Sequence, residues 1–586
     1  MKNWQMVEND ADVNLMADVL KLPPILAHIL ANRGLRSKNT ALKFLHPAKK
    51  FFHDAGLMKD MDLGVKITLD GIEAGKKICI FGDYDADGIC ATTILHKSIT
   101  ALGGKCIYYI PDRETEGYGL NTAALDKLAG DVDILITCDN GIATIAEVAH
   151  AKALGMAVII IDHHEAPFVE GEGLRIEQLP EAEAIIDPKQ SACFYPFEAL
   201  CAAGLCYKFS MSLFEAAGKT FELDNELLIF ATLATFCDVV DLIDENRIIA
   251  ANGLALMREN LSSNIGLNAL VKRRDLDYNK IGAFEIGFVI GPCVNATGRL
   301  ESAATAVELF LANKQSEATR LADRLAELNE ERKALTRDFV EKTIAELEGT
   351  ELDKVLVIYS PEMHESIAGI VAGRVKDALN RPAIVITDSG DVAKGSARSI
   401  EGYNIFEEMQ RHKDLFLRFG GHPMAAGVTL PHENVAILRK RLNDACALDS
   451  DDFIPNLRID KMLDTDDITF ELAQQLEILG PFGKGNRKPV FCSTDIFTET
   501  CEIIGQSGTT MRLTFRTASG RKIWAVAFGM VDKFAASLPE NIAQMFLGRT
   551  VKTLTIKIDI AYHLEINEYN GNKSLQLNVV DIKTHV

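Results

Sequence analysis

The feature that most constrains this chain is the run at residues 81–88, which reads Phe-Gly-Asp-Tyr-Asp-Ala-Asp-Gly. It follows an apolar stretch typical of a buried strand and places three carboxylates at alternate positions: Asp83, Asp85 and Asp87. Negative charges held this close repel one another, and burial raises their pKa values, so the group must bind protons or metal ions. Oxygen ligands at this density suit Mg²⁺ or Mn²⁺. A solvated acidic turn fits these residues equally well, whereas a calcium loop fits less well, because its closing acid would fall on Ile94.

The length of 586 residues exceeds what a single hydrophobic core supports, so several domains are expected. The N-terminus lacks an apolar signal region, and no run approaches the roughly 18 apolar residues of a membrane span. Twelve scattered cysteines without a Cys-x-x-Cys pair fit a reducing compartment. The sequence therefore predicts a cytoplasmic protein without a membrane contact.

The net charge of -21 argues mildly against a nucleic-acid partner, because phosphate binding relies on Lys and Arg. Basic clusters such as residues 272–274 and 439–441 could still line a groove, although such clusters are more often solvated faces. A metal-centred site also requires acids, so the charge does not decide between these classes.

From about residue 70 to 165, strand-like and helix-like segments alternate. The predicted strands lie at 77–81, 106–110, 133–138 and 157–161, with helices near 89–102, 121–129 and 143–154. This alternation predicts a parallel sheet covered by helices on both faces. Ligands of such sheets gather outside the carboxyl ends of the strands.

Polar residues follow three of these predicted strands. The first leads into the acidic run, the third into Asp139-Asn140-Gly141, and the fourth into Asp162-His163-His164. Acids and imidazoles that meet at one sheet edge indicate a functional site. Two divalent ions about 4 Å apart activate water and polarise a phosphoryl oxygen, so hydrolysis of a phosphate ester or anhydride is the natural chemistry. The mixed ligand types favour Mn²⁺ or Mg²⁺ over a closed zinc site.

Residues 82–88, 138–141 and 162–164 resemble the first three motifs of the DHH phosphoesterase superfamily, and residues 235–242 are similar to the fourth. The resemblance implies one metal ion held by Asp87, Asp139, His163 and Asp238. It implies a second ion held by Asp85 and Asp139, with Asp83 nearby. It further implies that His164 faces the scissile phosphate or lies behind the ligands, so Asp139 and His164 are the predicted catalytic residues.

Residues 301–348 contain no Gly or Pro and show apolar residues at helical spacing, which predicts one or two long helices. These helices could connect two lobes or pack within a core. Strand-like runs at 355–358 and 383–386 then predict a second α/β domain with Gly-rich segments at 394–399 and 420–427. Glycines let a backbone approach a phosphate closely, although a Gly-rich loop alone is weak evidence.

The Gly-Gly-His segment at 420–422 resembles the DHH-associated C-terminal domain. Further motifs narrow the resemblance: residues 295–299, 328–329 with 331–333, 396–400 and 481–486. In this order they are similar to those of the RecJ-type single-strand-specific exonucleases, over about residues 70–586. The chain departs from that pattern at Cys293, where Arg is usual, at Ala397, where Gly is common, and at Pro423, where Ala is usual. The role of position 293 is therefore left open.

The last stretch alternates apolar and polar residues in predicted strands at 511–517, 521–528, 551–561 and 574–582, with Asn570-Gly571 as a hairpin turn. The resemblance implies an OB-fold, which often binds single strands through aromatic stacking and a basic groove. The candidates for stacking are Trp524, Phe528, Tyr562 and Tyr569, although most aromatics in a small barrel are core residues.

The predicted fold is α/β: a DHH domain with a parallel sheet, joined by a long helix to a DHH-associated α/β domain and followed by an OB-type barrel. The predicted bounds are 1–50 for an N-terminal accessory segment, 51–300 for the DHH domain, 301–350 for the connecting helix, 351–450 for the associated domain and 451–586 for the barrel.

The resemblance implies a two-metal 5′→3′ exonuclease on single-stranded DNA that uses Mn²⁺ or Mg²⁺ and acts in DNA repair and recombination. It implies a monomer, with a single-strand-binding protein and a helicase as partners. One alternative is a DHH phosphodiesterase acting on short oligoribonucleotides or cyclic dinucleotides, and another is a DNA-binding scaffold with an inactive centre. The extra length and the barrel argue against the first alternative, and the intact ligand set argues against the second.

The same resemblance implies a substrate site composed of Arg113, Arg299, Ser396, Arg398, Gly420, Gly421 and His422. Arg113 follows the second strand and so lies at the metal edge of the sheet, while Ser396 and Arg398 face it from the second lobe. Guanidinium groups with a hydroxyl and backbone N–H donors suit the terminal phosphate of a strand. An interlobe salt bridge is the simpler role for Arg398.

Overall fold

The computed structural model describes residues 2–171, 174–260, 263–549, 553–569 and 571–585. The chain divides into two compact units. The large unit comprises Pro47–Ala445 with Gly483–Gly485, and the small unit comprises Met1–His46, Cys446–Phe482 and Asn486–Val586. Residues 1–46, which are most of the accessory segment predicted at 1–50, thus share a unit with the C-terminal barrel.

The N-terminal segment contributes one strand and three helices to the small unit: β1 (Asn3–Met6), α1 (Val13–Leu20), α2 (Pro24–Asn32) and α3 (Lys38–Leu45). Strand β1 pairs in parallel with Asn456–Ile459. Helix α2 begins at a proline, whose fixed φ suits the first turn, and its apolar residues are buried in the core of this unit. Within the described residues no single helix is long and apolar enough to cross a membrane, and only the bent pair α1 and α2, taken together, meets the length and composition of a span.

The first half of the large unit contains the predicted strand and helix alternation. Its elements are α4 (Met61–Glu73), β2 (Lys77–Phe81), α5 (Ala86–Ala101), β3 (Lys105–Tyr109), α6 (Thr122–Leu128), β4 (Ile134–Cys138), α7 (Ile145–Ala153), β5 (Ala157–Ile161), β6 (Phe168–Gly171), β7 (Leu174–Glu177) and β8 (Ala184–Ile186). Strands β3, β2, β4, β5 and β8 form a parallel sheet in this order. The predicted parallel sheet is confirmed, and its three polar strand ends belong to neighbouring strands.

A helical layer follows the sheet: α8 (Ala202–Ala216), α9 (Asp224–Cys237), α10 (Asp244–Asn260), α11 (Ile265–Arg273), a π-helical segment (Glu285–Ile290) and α12 (Gly291–Leu300). Helices α5, α8 and α9 pack on one another, and their apolar residues belong to the same core as one face of the sheet. This layer brings the ends of α8 and α9 to the polar edge of the sheet.

Two helices, α13 (Ala304–Leu311) and the 33-residue α14 (Gln315–Leu347), occupy the segment predicted as long helices. The second α/β domain follows with β9 (Leu356–Tyr359), α15 (Ala368–Leu379), β10 (Ala383–Ser389), β11 (Val392–Arg398), α16 (Ile405–Arg411), β12 (Arg418–His422), β13 (Ala425–Leu430) and α17 (Asn434–Ala445). Its sheet runs in the order β12, β13, β11, β10, β9, and only β9 and β10 pair in parallel.

The small unit is completed by β14 (Asn456–Ile459), β15 (Lys461–Met462), α18 (Phe470–Leu476), β16 (Phe491–Ile504), β17 (Thr510–Arg516), β18 (Lys522–Ala527), α19 (Val531–Ala536), α20 (Glu540–Leu547), β19 (Lys557–Tyr569) and β20 (Asn572–Thr584). Pairing of β16 with β19 closes a five-stranded barrel.

Two details of the barrel differ from the prediction, and a third lies partly outside the described residues. Strand β16 was not predicted, because its run of Thr, Asp and Glu hides the alternation. The strand predicted at 551–561 begins only at Lys557, residues 553–556 are irregular, and residues 551–552 lie outside the described residues. Asn570 of the predicted hairpin turn also lies outside them, although β19 and β20 pair up to Tyr569 and Asn572 on either side.

Candidate metal centre and arginine pocket

The acidic run lies where β2 turns into α5. Asp85 caps the helix, because its carboxylate accepts hydrogen bonds from the N–H groups of Asp87 (2.8 Å) and Gly88 (3.2 Å). Glycine is required at position 88, since a Cβ there would lie 2.5 Å from the carbonyl oxygen of Asp83. The turn therefore holds the three carboxylates at the carboxyl end of the strand.

The ends of β4 and β5 add an acid and an imidazole to this edge. Asp139 adopts a left-handed backbone with φ of 64°, and its N–H donates to the carbonyl of Ile161 at 3.1 Å. Nε2 of His163 lies 3.1 Å from Oδ1 of Asp139 and 3.7 Å from Oδ2 of Asp87. A strained backbone at a buried acid is typical of a site where geometry serves function.

Two helix ends complete the cluster. Asp238 follows the last residue of α9, and its Oδ2 lies 4.0 Å from Nδ1 of His163. The carboxylate of Asp87 accepts hydrogen bonds from the N–H groups of Ala202 (2.8 Å) and Ala203 (2.7 Å). The N-terminus of α8 thereby orients Asp87, as helix N-termini do for anions.

All six predicted metal ligands and His164 come together at this edge. Three groups have potential ligand atoms within 4.8 Å of one another: Asp83, Asp85 and Asp139; Asp87, His163 and Asp238; and Asp139, His163 and His164. Asp139 and His163 each belong to two groups, so the arrangement can hold two neighbouring ions.

The electrostatics of this cluster call for positive charge. Burial and the neighbouring carboxylates raise the pKa values of Asp87 and Asp238 to about 7 and hold those of Asp83 and Asp139 well above their usual range. Oδ1 of Asp83 is buried without a hydrogen-bond partner. Burial lowers the pKa of His163, which favours the neutral ring that a metal ligand requires. The donor set fits divalent cations that prefer oxygen and imidazole ligands.

His164 differs from His163 in its surroundings. Burial would lower the pKa of His164, but its Nδ1 lies 2.7 Å from Oδ1 of Asp162, and this hydrogen bond raises the pKa to about 9. The hydroxyl of Tyr118 donates to the carbonyl of Asp139 at 2.9 Å and lies 3.4 Å from Nδ1 of His164. Tyr118 was not predicted, although its position in the loop after β3, at the same sheet edge, was the available signal.

Helix α12 contacts the acidic turn through Asn295 and Gly298. Oδ1 of Asn295 accepts a hydrogen bond from the N–H of Ala86 at 2.8 Å. A Cβ at Gly298 would lie 2.2 Å from the carbonyl oxygen of Tyr84. The motif at 295–299 therefore touches the acidic turn directly, a role that its sequence position does not indicate.

A cavity of about 370 Å³ in the large unit contains four of the predicted substrate residues, and its charged and hydroxyl lining is Arg113, Arg299, Glu365, Lys394, Ser396, Arg398 and Thr429. Nη1 of Arg398 donates to Oγ of Ser396 at 2.9 Å. A Cβ at Gly369 would lie 3.0 Å from Nη2 of Arg398, so a glycine allows the guanidinium to pack against the start of α15. We call this cavity the arginine pocket.

The arginine pocket carries unbalanced positive charge. Among the described residues, no carboxylate lies within 4.0 Å of the guanidinium nitrogens of Arg113, Arg299 or Arg398, whereas Glu365 pairs with Lys394 at 3.1 Å. Burial, together with Arg113 and Arg332, lowers the pKa of Arg299 to about 10. The N-terminus of α15 adds backbone N–H groups to the same cavity. The pocket is therefore suited to an anion.

The other three predicted substrate residues lie elsewhere. Gly420, Gly421 and His422 are exposed on β12, the edge strand, and β13 separates them from β11. They do not line the arginine pocket, because only β11 and β13 reach it.

One face of the barrel combines an aromatic residue with cations. The ring of Trp524 is 43% exposed, and Arg512 and Lys522 lie 5.2 and 4.7 Å from its centroid. Phe528 is also exposed. Tyr562 is wrong as a stacking candidate, because it is fully buried and its hydroxyl lies 2.9 Å from Oγ of Ser493. The side chain of Tyr569 lies outside the described residues.

Three family models match the chain in sequence order. The DHH family N-terminal domain matches residues 77–235, the DHHA1 domain matches residues 352–448, and the RecJ OB domain matches residues 459–581.

Curated relatives match nearly the whole chain. The single-stranded-DNA-specific exonuclease RecJ of Bacillus subtilis (strain 168) is 35% identical over 99% of this chain and 70% of its own length. The enzyme of the same name from Escherichia coli (strain K12) is 31% identical over 97% of this chain and 98% of its own length. Among solved structures, RecJ from Thermus thermophilus in complex with Mn²⁺ covers 99% of this chain and 79% of its own, at 25% identity and a TM-score of 0.81.

Proposed function

Because the chain belongs to the RecJ family of single-stranded-DNA-specific exonucleases, we propose that it removes nucleotides from the 5′ end of single-stranded DNA by metal-dependent hydrolysis. One observation carries the proposal. The guanidinium of Arg113, which lines the arginine pocket, lies 4.9 Å from the ring centroid of Tyr84, and Tyr84 stands between Asp83 and Asp85. A strand whose terminal phosphate occupies the pocket therefore presents its next phosphodiester to the acids.

The proposed metal ligands are those of the sequence prediction. Asp87, Asp139, His163 and Asp238 would hold one ion, and Asp85 with Asp139 the other, with Asp83 adjacent. RecJ from Thermus thermophilus has been solved in complex with Mn²⁺ and in complex with Mg²⁺, which supports either metal. The bound ions would neutralise the phosphate and activate water at neutral pH.

The side chains of this chain supply position and protons. Oδ1 of Asp162 holds Nδ1 of His164, so Nε2 of that ring, 3.5 Å from the hydroxyl of Tyr118, would face a phosphoryl oxygen. The hydrogen bond to Asp162 raises the pKa of His164 to about 9, which favours the protonated ring that could donate a hydrogen bond there. The α8 N-terminus keeps Asp87 fixed while substrate enters.

The arginine pocket would bind the 5′-terminal phosphate. Arg113, Arg299 and Arg398 offer forked donors, and Ser396 and the start of α15 offer a hydroxyl and N–H groups. This assignment would explain a 5′→3′ polarity, because the 5′-terminal phosphate would lie in the pocket and the adjacent phosphodiester would lie at the metal ions. Gly420, Gly421 and His422 would contact the backbone farther along, where an exposed strand with small residues permits close approach.

The barrel face would bind single-stranded DNA. Base stacking on Trp524, with Arg512 and Lys522 close to its ring, combines an aromatic platform with the cations that attract phosphates. Phe528 would extend this platform.

We further propose that the protein is a cytoplasmic monomer that acts in DNA repair and recombination, with a helicase and a single-strand-binding protein as partners. The proposed substrate supports this role, because single strands arise where duplex DNA is unwound. Light scattering of the purified chain tests the monomer, and co-purification with a labelled helicase and single-strand-binding protein tests the partners.

The activity is tested with labelled 5′-phosphorylated single-stranded DNA, the matching duplex and a dinucleotide, each with Mn²⁺ and with EDTA. We expect rapid Mn²⁺-dependent release of the 5′ label from the single strand and little cleavage of the duplex. Faster cleavage of the dinucleotide than of the strand, or earlier release of a 3′ label, would refute the proposal.

A further inference from the structure

The loop after β3 carries two neighbouring charged residues, Arg113 and Glu114, and is held by hydrogen bonds within itself and to the end of β3. Oδ1 of Asp112 accepts hydrogen bonds from the N–H groups of Glu114 (3.1 Å) and Thr115 (2.9 Å). Oε2 of Glu116 accepts from the N–H of Asp112 at 2.9 Å, and the hydroxyl of Tyr109 donates to Oε1 of Glu116 at 2.6 Å. The loop is thus tied to the end of β3, and the orientations of Arg113 and Glu114 are linked.

Arg113 lines the arginine pocket, whereas Glu114 reaches the second α/β domain. Oε1 of Glu114 lies 3.0 Å from Nε2 of His364. Nδ1 of His364 lies 2.7 Å from Oγ of Ser366. The carbonyl of Ser366 in turn accepts a hydrogen bond from Nη1 of Arg299 at 2.6 Å. One continuous chain of polar contacts therefore joins the loop that carries Arg113 to the guanidinium of Arg299.

The hydrogen-bond directions in this chain follow from chemistry. The N–H of Ser366 points to Nδ1 of His364 at 3.3 Å, and an N–H can only donate, so Nδ1 is the acceptor. The ring proton therefore lies on Nε2, where it is donated to Glu114. A neutral His364 is sufficient for the contact.

We infer that Glu114, His364 and Ser366, together called the clasp, are positioning residues that set the specificity of the arginine pocket for a terminal phosphate. This inference rests on the proposed function of that pocket. The clasp joins the loop that carries Arg113 to the guanidinium of Arg299 and so sets the distance between these two arginines, and two guanidinium groups bind one phosphate well only at a defined separation. None of the three side chains lines the pocket itself.

A role limited to folding stability would lower the melting temperature of variants that lose the pair between Glu114 and His364. The side chains of His364 and Glu114 are 39% and 51% exposed, and ion pairs at such positions contribute little to folding stability. Losing the pair should therefore leave the melting temperature nearly unchanged. The effect should fall on the terminal phosphate, which only the pocket contacts.

The test uses Glu114→Ala, His364→Ala, the double variant and Glu114→Gln in the full-length protein with Mn²⁺. Each is assayed on the same single strand with a 5′-phosphate and with a 5′-hydroxyl. We expect both alanine variants to lower kcat/KM on the phosphorylated strand roughly two- to fivefold, through KM, and to change the hydroxyl strand much less. The double variant should match the single variants, because all remove one contact. Glu114→Gln should retain activity, because its amide oxygen still accepts the Nε2 proton.

Glu362→Ala is the matched control, since it removes an ion pair with Lys342 (2.6 Å) outside the pocket and should change neither substrate. Equal losses on both strands, additive losses in the double variant, or a Glu114→Gln variant as impaired as Glu114→Ala would overturn the clasp. The pocket proposal fails separately if the unmodified protein does not distinguish the two strands. A preference that the unmodified protein shows and the clasp variants keep refutes the clasp alone.

Discussion

The metal centre and the arginine pocket are both buried clusters of like charge, but they differ in whether their side chains can become neutral near pH 7. In the centre, burial and mutual repulsion raise the pKa values of Asp87 and Asp238 to about 7, so these carboxyls can bind protons when no metal is present. In the pocket, burial and neighbouring arginines lower the pKa of Arg299 only to about 10, so it stays charged at neutral pH. Protons therefore compete with metal at the centre, whereas the pocket can be neutralised only by an anion.

The largest expected effect comes from removing the acid shared by two ligand groups. Asp139→Ala should lower the nuclease rate by at least about 100-fold at saturating Mn²⁺, because both proposed ions lose a ligand. Asp126→Ala, which changes an exposed acid on α6 paired with His150, is the control and should stay active. If Asp139→Ala keeps more than a few per cent of the rate, the centre is misassigned.

Removing a pocket arginine should have a smaller and selective effect. Arg398→Ala should weaken binding and cleavage of 5′-phosphorylated strands roughly 10- to 100-fold, the range for a charge-assisted hydrogen bond, and affect 5′-hydroxyl strands much less. Arg441→Ala, in the same domain but paired with Asp414 at 2.8 Å, serves as the control. Equal losses on both strands would show that the strand end lies elsewhere.

The aromatic face of the barrel lies outside both charged clusters. Trp524→Ala should raise KM for long single strands about fivefold or more, as expected for the loss of one stacked base, with kcat unchanged. Its ratio of activities on phosphorylated and hydroxyl strands should equal that of the unmodified protein. Phe497→Ala removes another exposed aromatic of the barrel and is the control. A change in kcat or in that ratio would argue against a role limited to strand binding.

The smallest expected effect is a pH dependence of the Mn²⁺-induced rise in Tm, which tests the raised pKa values of the metal centre. Folding raises the pKa of Asp87 and of Asp238 from 3.8 to about 7, so between these pH values the folded state binds more protons than the unfolded state. The free energy of unfolding of the metal-free protein therefore falls as pH rises from about 4 to 7. Metal binding should remove that loss. Calorimetry should therefore show that Mn²⁺ raises Tm by about 2–4 °C more at pH 7.5 than at pH 5.5, with proton release on binding. A metal-induced shift independent of pH would contradict the raised pKa values.

The clustering of acids and imidazoles was predictable for nearly every member, because these residues directly follow apolar runs and adjacent parallel strands end at one edge. Asp238 depended on resemblance, since nothing in its surroundings indicates that the end of α9 reaches the sheet edge. Tyr118 and Asn295 were not assigned roles, because a tyrosine in a loop and an asparagine in a helix have many ordinary uses.

The departures from the family pattern illustrate what sequence comparison leaves open. Cys293 is buried, and its sulfur accepts a hydrogen bond from Nδ2 of Asn329 at 3.4 Å, while Oδ1 of Asn329 accepts one from Nη2 of Arg332 at 2.9 Å. A guanidinium thus remains close to position 293, supplied by another residue. Pro423 lies in the turn between β12 and β13, where its carbonyl accepts the N–H of Ile405 at 3.0 Å.

By itself the sequence determined the parallel sheet, the acidic edge and the order of the domains, because these depend on local periodicity and on polar residues that follow strands directly. Only the tertiary structure decided that Arg113, Arg299 and Arg398 share one cavity, that Gly420 to His422 lie outside it, and that the N-terminal strand pairs within the barrel unit. These relations join residues far apart in the chain. They depend on how helices and sheets pack, and packing is set by the shapes of many buried side chains together, which no short motif encodes.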